Sequence, residues 1–122
     1  MPDIDLVAVA AGTVAAFVLG GAYYAVLGTG ATEPRPILPT MAVEVVRCLV
    51  LVTVVAGLAS LGGVDTWAGG LALGSALWLG FPAVLWAGAI FHERTPWRVA
   101  ALHAGDWLVK LVAVGTLVAA IR

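Results

Sequence analysis

Charge is scarce in this chain. Its 122 residues include six Lys and Arg and seven Asp and Glu, 11% of the sequence, against 62% hydrophobic. A soluble domain of this size keeps much of its surface in water and needs many more charges to do so. The shortage excludes that class and points to an integral membrane protein, as does a mean hydropathy of +1.08. A formal net charge of -1 with no basic patch excludes a nucleic-acid partner. Cys48, the single cysteine, cannot form an intrachain disulfide or a thiolate metal site alone, and within an apolar run it reads as a small packing residue. Catalytic motifs are missing too: no nucleophile-elbow serine, no HExxH and no P-loop. The expectation is therefore a protein that is not an enzyme and uses no cofactor. No metal motif appears, since His92 and His103 are far apart in sequence.

Long apolar runs are what the chain does have. They cover about residues 4–27, 40–61, 67–91 and 97–121, and the third holds no charged residue. Each has roughly the 20 residues that cross a hydrocarbon core about 30 Å thick. Strand alternation is absent, and helices satisfy their own backbone groups in lipid. The first connection, Gly28 to Pro39, carries Glu33, Arg35 and three prolines. Residues 62–66 and 92–96 form short second and third connections. The expected fold is all-α: an integral membrane, up-down-up-down four-helix bundle forming one domain over 1–122.

Asp3 and Asp5 precede the first run where a cleaved signal would carry Lys or Arg, so that run is expected to be a retained span. Arg35, Arg94 and Arg98 lie in connections one and three, whereas Asp3, Asp5 and Asp65 lie at the other side. The positive-inside rule then places both termini outside the cell membrane. Tyr23, Tyr24, Trp67 and Trp97 stand at span ends, as interface-belt aromatics do. Trp78, Trp86 and Trp107 lie deeper and read as lipid contacts or helix packing. Gly70 and Gly74 make a GxxxG pair for close helix approach, and Pro82 should kink the third span.

The informative charges are those inside the runs. His103, Asp106 and Lys110 follow at spacings of three and four, so they share one stripe of the last helix. That span has its midpoint near Val109, so Asp106 and Lys110 bracket the bilayer centre. Glu44 and Arg47 share a face of the second span, and the four formal charges sum to zero. A charge at a span centre costs roughly 2.5 to 3.5 kcal/mol. Four unpaired charges would cost on the order of 10 kcal/mol, comparable to the stability of a domain. A contact ion pair recovers about 4 kcal/mol at an effective dielectric of 20. Pairing is thus required, and the expectation is that spans two and four are neighbours. Arg47 is expected against Asp106, Lys110 on Asp106 from the next turn, and Glu44 facing His103.

The segments Gly80-Phe81-Pro82, then Phe91-His92-Glu93-Arg94-Thr95-Pro96-Trp97-Arg98, then His103-Ala104-Gly105-Asp106-Trp107-Leu108 resemble the second half of the small membrane proteins grouped as domain of unknown function 1761. Gly20-Gly21-Ala22-Tyr23-Tyr24 is similar to that family's opening segment. The resemblance implies a four-span membrane protein and brings no activity with it.

Two functions compete. Glu44, Arg47, His103, Asp106 and Lys110 could line the path of a homo-oligomeric transporter or channel for a small solute or ion, since intramembrane ionisable groups mark such paths. Histidine, whose charge changes near neutral pH, suits a relay. The small multidrug exporters also have four short spans, but they carry an essential acid in the first, which this chain lacks. The alternative is a non-catalytic accessory or assembly subunit of a larger membrane complex, whose ionic network fixes helix register and whose Gly and Trp residues dock a partner. The lipid bilayer is the common partner of both readings.

Overall fold

A computed structural model describes residues 4–27 and 37–121. They form α1 (Leu6–Leu27), α2 (Ile37–Leu61), α3 (Trp67–Gly80), α4 (Pro82–His92) and α5 (Trp97–Ile121), with no strand among the described residues. Four segments are long and apolar enough to cross a membrane: Leu6–Leu27, Leu38–Leu61, Trp67–His92 and Trp97–Ile121. The shortest, 22 residues, is about 33 Å long at 1.5 Å per residue, enough for a hydrocarbon core.

The ends are set by local chemistry. The Asp5 carboxylate accepts from the Val7 amide at 2.8 Å and caps α1. The Thr66 hydroxyl accepts from the Gly69 amide at 3.0 Å and caps α3. α2 ends in a Schellman turn: Val64 N–H donates to Ala59 O at 2.8 Å and Gly63 N–H to Ser60 O at 3.2 Å. Gly63 makes that turn at φ +66, where a side chain would be strained.

Two boundaries differ from the sequence reading. α2 starts at Ile37 and takes Pro39 into its first turn, where the missing N–H costs no helical bond. The rest of the expected first connection, residues 28–36, lies outside the described residues, as do Asp3 and Arg122. The expected kink at Pro82 is a break. Phe81 leaves helical geometry at φ −122, ψ −76, and Pro82 opens α4. The ladder resumes at once, with Leu85 N–H donating to Phe81 O at 2.9 Å.

Helix α5 packs on α1, α2, α3 and α4 alike. The core it organises contains Val52 and Val55 of α2, Ala8 and Ala16 of α1, and its own Val114 and Val118. Cys48 belongs to this core, 2% exposed, as a packing residue should be. α1 and α5 run antiparallel: Gly12 lies near Val118, Gly20 near Lys110, and Tyr23 reaches Leu102. The outward faces stay apolar and exposed, including Val14 and Val18 of α1 and Val46, Val50 and Val54 of α2. An apolar surface of this extent belongs in lipid.

The GxxxG pair acts within the bundle. A Cβ on Gly70 would collide with the Gly115 carbonyl, and one on Gly74 with the Leu111 carbonyl. α3 and α5 therefore meet backbone to backbone, as small residues permit in membranes.

Candidate functional site

The second half of the interhelical space is organised differently, around Asp106 and Lys110. Their side chains are 6% and 7% exposed, and Lys110 Nζ lies 3.1 Å from Asp106 Oδ2, one helical turn away, as the spacing predicts. Glu44 Oε1 of α2 lies 3.6 Å from the same ammonium. Lys110 is thus held between two carboxylates from two helices, and the second and fourth spans are neighbours as expected. Its ammonium also stands 5.9 Å from the centre of the Trp107 ring.

The other two expected pairings are replaced. Arg47 does not turn to Asp106. It donates to Glu44 Oε2 at 2.9 Å on its own helix, with its side chain 55% exposed. A residue three positions away on a helix is within reach, so Arg47 pairs locally at the more exposed edge of the site. Glu44 does not face His103, because its two oxygens serve Arg47 and Lys110. His103 instead pairs through Nδ1 with the Tyr24 hydroxyl at 2.6 Å and stacks on Trp86, with centroids 4.9 Å apart and planes at 17°. Tyr24 and Trp86, read from the sequence as belt and packing residues, are therefore members of the site. The neighbouring Tyr23 donates to Leu102 O at 2.7 Å, and Trp78 Nε1 donates to Ala104 O at 2.8 Å. The turn carrying His103 is held by α1, α3 and α4 together.

Glycines let the polar side chains fit. A Cβ on Gly20 would lie 2.7 Å from Lys110 Cε and 3.0 Å from Nζ, so a side chain at residue 20 would push the lysine head from its present place. A Cβ on Gly105 would strike the Tyr23 hydroxyl.

These groups line one cavity of about 430 Å³ between α1, α2, α4 and α5. Glu44, Arg47, His103, Asp106 and Lys110, the five residues singled out from the sequence, all border it, as do Tyr24, Trp86 and Trp107. Two residues that border it each hold one fully buried polar atom with no hydrogen-bond partner: Asp106 Oδ1, an acceptor, and Trp86 Nε1, a donor. No cluster of three His, Cys, Asp or Glu able to hold a metal occurs among the described residues.

The model of a family described as Protein of unknown function (DUF1761) matches residues 7–119. The chain belongs to this family. The match takes in all five helices and every residue of the cavity, so the DUF1761 assignment and the four apolar spans agree on a small membrane protein. No curated protein and no solved structure matches this DUF1761 chain.

Proposed function

We propose that this protein binds a small solute or ion in the polar cavity and passes it through the membrane, acting as a transporter or channel rather than as an enzyme. The observation that carries the reading is the state of Asp106. One of its oxygens is committed to Lys110, the other is buried without a donor, and the residue itself borders the cavity. An ionic lock serving only the fold would close both oxygens, since a half-satisfied buried carboxylate is destabilising. Intramembrane acids that face a cavity are the residues through which solutes and protons move.

The accessory-subunit alternative loses one of its supports: Gly70 and Gly74 are spent inside the bundle against α5, so that pair is not free to dock a partner. The reading extends to an up-down-up-down bundle in the cell membrane with both termini outside. Opposed residue order along α1 and α5 and the loop arginines support it. Assembly with further copies in the bilayer is part of the same proposal, because four short spans enclose little space.

Liposomes test it. Vesicles containing the protein should swell faster in glycerol, or acidify faster under a pH gradient, than empty vesicles. Asp106→Asn should remove that excess. Excess flux unchanged in Asp106→Asn, or no excess at all in the unaltered protein, rejects the role.

A further inference from the structure

A second cavity, of about 630 Å³, adjoins the polar one. Its walls are almost wholly apolar: Leu51, Val54, Val55 and Leu58 on α2, and Phe81 and Leu85 around the α3–α4 break. Trp107 borders both cavities. The α2 residues of the two sets, 44 and 47 in one and 51, 54, 55 and 58 in the other, recur every three or four positions along one face of a single helix. From Glu44 to Leu58 that face runs about 21 Å at 1.5 Å per residue. The break at Pro82 shapes the apolar part, since Gly80, Phe81 and Pro82 all border it.

We propose that the ligand of this site is an amphiphile drawn from the bilayer: a long apolar chain in the groove beside the Pro82 break, and an uncharged hydroxyl head group in the polar cavity. The inference rests on the cavity reading above and adds a lipid-derived ligand to the small solute proposed there. Charge balance selects the head group. Glu44, Arg47, Asp106 and Lys110 already sum to zero, so a charged head would enter the membrane interior uncompensated. Asp106 and Trp86, which both border the polar cavity, leave one acceptor and one donor unpartnered, and a hydroxyl can answer either kind of group. The apolar groove asks for a chain, and an occupant spanning both cavities must pass Trp107.

Photolabelling of the full chain in lipid nanodiscs tests this, with a diazirine-bearing long-chain alcohol as probe. Label should concentrate on Trp107 and on the α2 face at 51–58. Unlabelled long-chain alcohol should compete at least tenfold better than a fatty acid or an alkyltrimethylammonium of equal length. Val54→Trp, at an exposed position that tolerates bulk, should lower labelling at least tenfold by filling the groove. Equal competition by all three head groups, or labelling indifferent to Val54→Trp, overturns the amphiphile proposal and means the groove holds ordinary surrounding lipid. If Asp106-dependent flux persists in that case, the small-solute reading survives alone. If that flux is missing too, both fall.

Discussion

The two halves of α5 solve opposite problems. At Gly115 the helix has no side chain, and α3 lies directly on its backbone. Around Asp106 the same helix carries its bulkiest and most polar groups, and the neighbouring helices stand off by a cavity. Lipid tails are as apolar as leucine, so nothing hydrophobic pulls membrane helices together; van der Waals fit and polar contacts must do so. The glycine seam uses the first means and leaves no room. The charged half uses the second and leaves space with unfilled hydrogen-bonding capacity. The seam therefore fixes the bundle, and the charged half is where a ligand can be received.

If that division is right, the seam is the less forgiving half. Gly70→Val should have the largest effect, destabilising the protein by more than about 3 kcal/mol or preventing folding, because a rigid carbonyl cannot retreat. Thermal unfolding in detergent reads this. Asp106→Ala should come next, at about 3 kcal/mol, since it leaves Lys110 buried with only Glu44 at 3.6 Å. The double change of Asp106 and Lys110 to leucine should bring stability back to within about 1 kcal/mol of the parent while flux stays lost. A double variant as unstable as Asp106→Ala would show that the ion pair itself holds the fold, and the contrast between the halves would collapse. Tyr24→Phe should cost about 0.6 kcal/mol, the usual value of an interhelical hydrogen bond in a membrane. It should also alter Trp86 fluorescence, because the His103 ring against it loses its anchor. Arg47→Leu should be smallest, within about 0.5 kcal/mol, since its pair with Glu44 is half exposed and local. A loss above 2 kcal/mol there would place Arg47 in the core network after all.

The sequence showed what is local. Span positions follow from apolar length and the Lys110–Asp106 pair from a spacing of four, while Pro82 announced a kink where the helix in fact breaks. The contact of Gly70 and Gly74 with α5 needed only the rule that small residues face other helices, although the partner Gly115 was not evident. What could not be read is the rotation of one helix against another. Arg47 and Asp106 are sensible partners by charge and depth and border the same cavity, yet α2 is turned so that Glu44, not Arg47, reaches Lys110, and Arg47 pairs with Glu44. Tyr24 and His103 are 79 residues apart, and no periodicity links them. Gly20 was the available hint, because the helix drops its side chain there and is approached by Lys110, whereas the adjacent Gly21 faces open space.

The pairing of Lys110 with Asp106 within one helix has a consequence for biogenesis. α5 is translated after the other four helices, yet it is the piece on which all of them pack. Its two central charges are one turn apart on the same helix and can neutralise each other before any neighbour is met, which lowers the cost of inserting it. Until it arrives, α1 to α4 have no common partner. The ribosome therefore delivers the keystone of this assembly after the stones it locks.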